Sequence, residues 1–261
     1  MTDTAELLAL AERAARAAGA LLAERVQGPV SGLAYKSSAT DPVSDADRDA
    51  EATILAILRE ARPDDAMLGE EGTAEIGASG LRWVIDPLDG TVNYLYRQAA
   101  FCVSIACEDE QGGLVAVVHQ PATGETFCAR RGAGATRDGR PISVNRPGSL
   151  ARALIATGFA YDHERRALQG AIVSRLLPQV RDIRRIGSAA LDLAWVADGR
   201  LDGYYEHGLN AWDWAGGALL VQEAGGALLR VPAAGGLPEG LLAGDAATVG
   251  ALAAALEGGG E

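Results

Sequence analysis

The spacing of apolar and polar positions predicts two helices at the start of the chain. Residues 2–26 and 45–61 carry apolar side chains at helical spacing, with acidic residues in the first turns. Ser44 stands where a helix N-cap is expected, and Pro63 follows the second helix. The polar stretch between them, residues 27–44, predicts a loop or hairpin.

Short apolar runs follow, each bounded by glycine or polar residues. They are Met67-Leu68, LRWVID (81–86), FCVSIACE (101–108), GGLVAVVHQ (112–120) and GETFCARR (124–131). Each run predicts a strand. The alternation in FCVSIACE and GGLVAVVHQ predicts that these two pair antiparallel, and GETFCARR adds another strand. From about residue 150, strands and helices alternate, which indicates α/β layering. We expect one unit over residues 1–261, made of an N-terminal α+β part (1–149) and a C-terminal α/β part (150–261).

Composition and charge narrow the class of protein. Of the 261 residues, 48% are hydrophobic and 22% are charged, and the net charge is −12. This charge argues against nucleic-acid and anionic-membrane partners, because both are bound through clustered Lys and Arg. Neither a transmembrane run nor a signal peptide is evident, so we expect a cytoplasmic protein. The odd number of cysteines predicts free thiols.

Carboxylates recur where predicted strands end or helices begin. They lie in Asp41–Asp47, at Glu70-Glu71, at Asp86 and Asp89, at Glu206 and at Asp213. These are the places where α/β proteins form ligand sites. Oxygen ligands in this number favour Mg²⁺ over zinc.

The segment DPLDGT (86–91) combines several of the groups that a phosphate site needs. Pro87 turns the chain, so Asp86 and Asp89 can face one point, and the Leu88 carbonyl can join them. Gly90-Thr91 then exposes backbone N–H groups, which can bind phosphate oxygens. Taken alone, the segment equally fits an ordinary strand-to-turn exit, where Asp and Gly are common.

Two further residues carry a functional signal. Asp213 in WDWAGG stands at a helix start, either as an ordinary N-cap or as a metal ligand at a close-packed helix end. Lys36 is the only lysine in the chain. We interpret it as a compact ammonium beside a phosphate or a metal-bound water, with chance retention as the alternative.

Taken together, the motifs resemble the inositol monophosphatase family of Mg²⁺-dependent phosphatases. The resemblance is carried by DPVSDADRDAE (41–51), GEEG (69–72), WVIDPLDGTVNY (83–94), GSAALDLAWVADGRLDGYYEHGLNAWDWAGG (187–217) and LLVQEAGG (219–226). It covers nearly the whole chain. It implies a layered α-β-α-β-α sandwich, a homodimer, and a single catalytic unit that hydrolyses a phosphate monoester without a phosphoenzyme.

The resemblance also implies a set of metal ligands. Glu70, Asp86 and the Leu88 carbonyl would hold a first Mg²⁺. Asp86, Asp89 and Asp213 would hold a second. Glu70, with waters, would bind a weaker third ion.

Catalytic and phosphate-binding roles follow from the same motifs. Gly90 and Thr91 would bind phosphate through backbone N–H groups, beside Asp89. Asp47 and the Thr91 hydroxyl would orient the attacking water. Glu70 joins them as the third catalytic residue.

The remaining implied contacts concern the substrate. Ala189, Glu206 and Asp213 would contact a hydroxyl-rich leaving group. Arg184 stands where the family often has a basic residue before GSAA, and Lys36 would lie near the phosphate.

Substrate choice is less strongly indicated. Val92 replaces a threonine that is frequent in the family, which removes a hydroxyl. The segment YYEHGLNAWDWAGG (204–217) favours myo-inositol 1-phosphate. The alternatives are fructose 1,6-bisphosphatase or dual activity, a histidinol-phosphate or 3′-phosphoadenosine 5′-phosphate phosphatase, and a non-catalytic, metal-binding regulatory protein.

Overall fold

The computed structural model describes residues 3–28, 31–36 and 42–257. Asp41 and parts of the predicted 27–44 loop lie outside these residues. The helices are α1 (Thr4–Arg25), α2 (Asp45–Ala61), α3 (Thr91–Leu95), α4 (His163–Leu176), α5 (Ala189–Ala197), α6 (Ala211–Glu223) and α7 (Ala246–Glu257). The strands are β1 (Ala34–Tyr35), β2 (Pro42–Val43), β3 (Ala66–Gly69), β4 (Ala74–Glu75), β5 (Arg82–Asp89), β6 (Cys102–Asp109), β7 (Gly112–Gln120), β8 (Glu125–Arg130), β9 (Gly134–Arg137), β10 (Arg140–Pro141), β11 (Leu154–Thr157), β12 (Asp182–Arg184), β13 (Gly203–His207), β14 (Ala227–Val231) and β15 (Gly240–Gly244).

The first two helices begin at side-chain caps. Asp3 Oδ1 accepts the Ala5 N–H at 2.8 Å at the start of α1. At the start of α2, Ser44 Oγ accepts the Ala46 N–H, and the Asp47 carboxylate accepts the Ser44 N–H at 2.8 Å. This reciprocal arrangement satisfies N–H groups that a helix start leaves free. It confirms the predicted cap at Ser44.

The first part of the chain forms an eight-stranded sheet in the order β10-β9-β8-β7-β6-β5-β3-β4. Only the β3–β5 pair is parallel in this sheet. Alternate residues of a strand point to opposite faces, so Val103 and Ile105 join one core while Cys102 joins another. Both faces are therefore covered, as the run of buried residues in β6 requires.

The second part forms a five-stranded mixed sheet in the order β12-β11-β13-β15-β14. Strands β12 and β13 pair in parallel with β11, and β15 pairs antiparallel with β13 and β14. The helix α4 connects β11 to β12, and α5 connects β12 to β13. These connections confirm the α/β layering predicted for this part.

The elements stack in five layers. Helices α1 and α2 pack on one face of the larger sheet, and α5 and α6 pack between the two sheets. Helices α4 and α7 lie near each other, and α7 packs on β14 and β15. The layered α-β-α-β-α sandwich is therefore confirmed. No helix in the described part of the chain is both long and apolar enough to cross a membrane.

The structure differs from the sequence-based expectation around Asp86-Pro87. Strand β5 does not end there but continues to Asp89, which pairs with Cys102 across a register shift. Pro87 has no N–H for the ladder, and the Leu88 N–H turns to Asp86 Oδ1 at 3.1 Å. The result is a bulge within the strand. The short helix α3 directly after it was not predicted.

The middle helix layer depends on a close approach of α5 and α6. A β-carbon at Gly217 would lie 2.3 Å from Leu193 Cβ, closer than atoms can pack. Gly217 is therefore required by contact rather than by backbone conformation. This contact brings α6, with Asp213 in its first turn, against α5.

We predict that Gly217→Ala lowers the free energy of unfolding by about 1–3 kcal/mol, the typical cost of overpacking. The matched control is Gly170→Ala in α4, where no atom lies within 4 Å of the added β-carbon. This exposed helical site should gain about 0.5–1 kcal/mol, because alanine favours helix over glycine. Denaturant unfolding measures both, and equal effects would contradict the packing argument.

Candidate active site

A cavity of about 420 Å³ brings together most of the predicted site residues. It opens between the end of β5, the end of β13 and the first turns of α5 and α6. The predicted residues that line it are Lys36, Glu70, Asp86, Leu88, Asp89, Gly90, Thr91, Ala189, Glu206 and Asp213. Two predicted residues, Asp47 and Arg184, are not among its lining residues.

One side of the cavity, called here the acidic wall, is formed by Glu70, Asp86, Asp89, Asp213 and the Leu88 carbonyl. Within it, Asp86 has 1% of its surface exposed. Burial raises its pKa well above the ordinary value, and the charges of Glu70, Asp89 and Asp213 raise it further. Four carboxylates thus repel one another in one cavity. A bound cation would relieve this repulsion.

Asp89 is held by the other half of the chain. Its Oδ2 accepts hydrogen bonds from Ser188 Oγ at 2.8 Å and from the Ala190 N–H at 2.7 Å. Burial raises the pKa of Asp89 to about 6, although these two hydrogen bonds favour its charged form. The start of α5 therefore fixes the orientation of this carboxylate.

Gly90 and Thr91 turn the chain from β5 into α3. Gly90 has φ of 95°, in the left-handed region, and a β-carbon there would lie 2.9 Å from the Ala100 carbonyl oxygen. Only glycine fits both constraints. Thr91 is the first residue of α3, so its N–H has no acceptor within the helix.

Asp47 lies behind Thr91, with 1% of its surface exposed. Its Oδ2 accepts from the Ser44 N–H and Oγ, at 2.8 and 2.7 Å. Its Oδ1 lies 3.0 Å from Thr91 Oγ1, and the Leu88 carbonyl lies 3.2 Å from the same hydroxyl. Asp47 therefore does not line the cavity itself but contacts Thr91, which does.

Lys36 forms ion pairs with two neighbouring acids. Its Nζ lies 2.8 Å from Glu70 Oε1 and 2.7 Å from Glu71 Oε1. Burial opposes the lysine charge, but the two carboxylates outweigh it and hold the Lys36 pKa above its usual range. The charge of Glu70, a predicted metal ligand, is thus partly offset within the chain.

Sequence reasoning missed Glu51, which supports the GEEG loop. It accepts the Glu71 N–H at 2.9 Å and the Thr73 hydroxyl at 2.6 Å. A β-carbon at Gly69 would lie 2.4 Å from Glu51 Oε2, so the glycine makes room for this carboxylate. A signal was present, because Glu51 lies on the inner face of an amphipathic helix.

Asp213 lies in the first turn of α6 but is not its N-cap. Asn210 is the cap, and its N–H donates to Asp213 Oδ2 at 2.6 Å. The expected close packing is present, because a β-carbon at Gly216 would lie 2.6 Å from Ser104 Oγ. Burial and then the charge of Asp89 raise the pKa of Asp213 well above its ordinary value.

Glu206, which also lines the cavity, is bound by a buried tyrosine. Tyr204 Oη donates to Glu206 Oε2 at 2.7 Å. A β-carbon at Gly158 would lie 2.0 Å from the same oxygen, so this glycine, which sequence reasoning missed, makes room for the carboxylate. Burial raises the pKa of Glu206 to about 7.

The structure does not bring Arg184 to the cavity. Its guanidinium is exposed and pairs with Asp182 at 2.6 Å. The next residue, Arg185, lines the cavity instead. Successive residues of an extended segment point in opposite directions, so only one of the two arginines can face the site. Asp192, which sequence reasoning also missed, lines the cavity as well.

The acidic wall fits a hard divalent cation in the type of its ligands. Its oxygen atoms come from Glu70, Asp86, Asp89, Asp213 and the Leu88 carbonyl, and hard cations prefer such ligands. No three His, Cys, Asp or Glu side chains of residues 3–28, 31–36 and 42–257 form a ready metal-binding group. The acidic wall therefore fits a divalent cation through its oxygen ligands and through its negative charge, rather than through a preformed coordination geometry.

Comparison with known proteins identifies the family and the fold. The sequence profile described as the inositol monophosphatase family matches residues 3–256. The chain belongs to the inositol monophosphatase family. Nus factor SuhB of Escherichia coli K12 is 42% identical over 222 residues, which cover 84% of this chain and 83% of that protein. The inositol-1-monophosphatase of Mycobacterium leprae is 42% identical over 230 residues, 80% and 79% of the two chains.

Solved structures of family members have the same fold. The extragenic suppressor protein suhB of Bartonella henselae aligns with a TM-score of 0.89 and 36% identity, over 97% of this chain and 99% of that chain. Inositol monophosphatase from Anabaena aligns with a TM-score of 0.86 and 36% identity, over 98% and 97% of the chains. The resemblance seen in the motifs is confirmed. Family membership supports a phosphatase.

We predict that Glu206 makes the metal-free protein less stable as the pH rises. Its pKa is about 7 in the folded state against an ordinary 4.5, so the folded protein holds the proton more tightly. The resulting stabilisation is complete below pH 4.5 and is lost as the pH rises to about 7. In EDTA, the free energy of unfolding of wild type should fall by about 2 kcal/mol over this pH range, a value reduced for partial solvent exposure. Glu206→Gln should not show this fall.

Denaturant unfolding across this pH range measures the effect. The control is Glu239→Gln, an exposed carboxylate that pairs with Arg230 and has a lowered pKa. The free energy of unfolding of this variant should fall with pH as steeply as that of wild type. An equally steep fall in Glu206→Gln would contradict the prediction.

Proposed function

We propose that this chain is a Mg²⁺-dependent phosphatase that hydrolyses the monoester of a phosphorylated cyclic polyol, with myo-inositol 1-phosphate as substrate. One observation carries the proposal. A single cavity is lined by an acidic wall, by the Gly90-Thr91 turn and by the separate carboxylate of Glu206. These three surfaces match a cation, a phosphate and a hydroxyl-rich group.

The phosphate would bind where β5 turns into α3. The conformation of Gly90 leaves no side chain in front of the following N–H groups. Helix starts and turns with exposed N–H groups bind phosphate oxygens in many proteins. Asp89 lies next to this turn and would share the metal that neutralises the phosphate. Val92 keeps its backbone N–H, so loss of the usual hydroxyl leaves the turn able to bind.

Asp47 and Thr91 would orient the attacking water. The Thr91 hydroxyl has one proton and two possible acceptors, Asp47 Oδ1 and the Leu88 carbonyl. When it donates to either, its lone pairs can accept a hydrogen bond from a water in the cavity. Ser44 binds the other oxygen of Asp47, so the Asp47 carboxylate is held in place beside the hydroxyl. Glu70 lines the same cavity and would accept from that water.

The acidic wall would hold two Mg²⁺ ions, with Glu70 in reach of a third. These carboxylates would thereby hold cations able to lower the pKa of a water and to stabilise charge on the leaving oxygen. The protein's own part is to hold the carboxylates apart and fixed. Asp89 is oriented by Ser188 and Asp213 by Asn210, which limits their movement.

The leaving group would lie against Glu206, Ala189 and Asp213. Glu206 has one oxygen bound by Tyr204, and its other oxygen can accept from a ring hydroxyl. Ala189 adds a small surface that leaves room for a ring. Arg185, which lines the cavity, would make the contact that was predicted for the exposed Arg184. The homodimer and the cytoplasmic location stay predictions.

We predict that the purified protein with Mg²⁺ releases phosphate fastest from myo-inositol 1-phosphate. The panel also contains fructose 1,6-bisphosphate, histidinol phosphate and adenosine 3′,5′-bisphosphate. EDTA should abolish release, and added Mg²⁺ should restore it, because the acidic wall needs a cation. Preference for another ester would reassign the substrate. No release from any of them would favour the non-catalytic, metal-binding alternative.

Asp89→Asn should lower kcat/KM at least about 100-fold, since even indirect partners of metal ligands cost about 10- to 100-fold. The fold should persist, because an asparagine oxygen can still accept from Ser188 and Ala190. The control is Asp182→Asn, a half-exposed carboxylate outside the cavity that should leave turnover unchanged. Phosphate release and thermal unfolding check both variants. Near-normal turnover in a folded Asp89→Asn protein would refute the metal assignment.

A further inference from the structure

Asp192 is a buried carboxylate without a complete set of partners. It is the only charged residue of helix α5, whose other residues are apolar. Only 1% of its surface is exposed. Its Oδ1 atom has no hydrogen-bond partner in the described part of the chain. Buried polar atoms are nearly always hydrogen-bonded, so this exception needs an explanation.

The position of Asp192 places it on the substrate side of the cavity. It follows Ala189 by three residues, so both side chains lie on one face of α5. Both line the cavity, together with Glu206. Burial raises the pKa of Asp192 well above its ordinary value, and the charges of Glu206 and Asp89 raise it further, while Arg185 lowers it. The Asp192 side chain therefore lies in the part of the cavity lining that also contains Ala189 and Glu206, for which contacts with ring hydroxyls are proposed above.

A second buried aspartate shows what a structural role looks like in this chain. Asp202 is 8% exposed, and both of its oxygens are bonded. Asn145 Nδ2 donates to Oδ1 at 2.6 Å, and the Leu154 N–H donates to Oδ2 at 2.7 Å. Asp202 thus ties β11 to the turn before β13. Asp192 makes no comparable tie, and leaving its oxygen unpaired costs folding stability.

We propose that Asp192 is a specificity-determining residue whose Oδ1 accepts a hydrogen bond from a ring hydroxyl of the substrate. The inference rests on the proposed function and deepens it. Glu206 and Asp192 would bind different hydroxyls of one ring, so the site selects esters of cyclic polyols over esters of apolar alcohols. The unpaired oxygen then lowers the stability of the free protein but gives the bound substrate a hydrogen-bond acceptor.

The test compares two substrates that differ only in hydroxyl groups. Myo-inositol 1-phosphate and cyclohexyl phosphate share a ring size and a phosphate. The variant is Asp192→Leu, which has the same branching without polar atoms. We expect kcat/KM for myo-inositol 1-phosphate to fall about 10- to 100-fold, the value of a hydrogen bond to a carboxyl group. The value for cyclohexyl phosphate should stay within about twofold of wild type.

Thermal unfolding separates recognition from structure. The melting temperature of Asp192→Leu should equal or exceed that of wild type, because an unpaired buried oxygen is replaced by an apolar group. Asp202→Leu is the matched control. It should lower the melting temperature, because it leaves the Asn145 and Leu154 donors unpaired. It should also lower the rates with both substrates equally.

Several outcomes would overturn the inference. Equal losses with both substrates in Asp192→Leu, no loss with either, or a fall in melting temperature like that of Asp202→Leu would each do so. These results leave the proposed function standing, because wild type still hydrolyses the inositol ester. Wild type that hydrolyses neither ester overturns the proposed function itself. If Asp192→Leu does not fold, Asp192→Asn gives the same comparison, with a smaller selective loss because one acceptor oxygen remains.

Discussion

The repulsion between buried carboxylates is the constraint on which the structure of the site depends. Four carboxylates line one cavity, and the charges of Glu70, Asp89 and Asp213 raise the pKa of the fourth, Asp86. Side chains under such repulsion turn away from one another unless they are held. Ser188 and Ala190 hold Asp89, Asn210 holds Asp213, and Lys36 offsets Glu70. The surroundings thus keep the negative charge concentrated where a cation can use it.

Glycines provide the space that this arrangement needs. A β-carbon at Gly69 would meet the Glu51 carboxylate, and one at Gly158 would meet that of Glu206. Neither glycine has a left-handed backbone, so it is side-chain volume that excludes other residues. Carboxylates can therefore lie directly against the main chain, where their orientation is restricted. Gly90 differs from these two, because it combines a close contact with a backbone conformation that favours glycine.

Local patterns predicted the elements well, because helical spacing and strand alternation depend on neighbours in sequence. The cap at Ser44, the meander of strands and the later α/β alternation are examples. The continuation of β5 past Pro87 was missed, because the bulge depends on a side-chain bond from Asp86. The family motifs gathered most of the cavity residues, but they could not show which neighbouring arginine faces it.

The unpredicted residues owe their roles to contacts between distant segments. Glu51 supports a loop 20 residues away, and Gly158 accommodates a carboxylate of a neighbouring strand. The sequence shows Asp192 as a lone charge in an apolar helix. Only the structure shows that its Oδ1 has no hydrogen-bond partner in the described part of the chain.

The two hydrogen bonds to Asp89 also bear on how the chain acquires activity. They join residues 99 and 101 positions apart, and Asp213 is supplied later still along the chain. Contacts of such long range form late, because the intervening chain must first be ordered. The site therefore cannot form until the later part of the chain is ordered, and α5 and α6, which cover one face of the larger sheet, come from that part. Activity begins only when the second sheet and α6 have docked, so recovery of turnover would report the last step of folding.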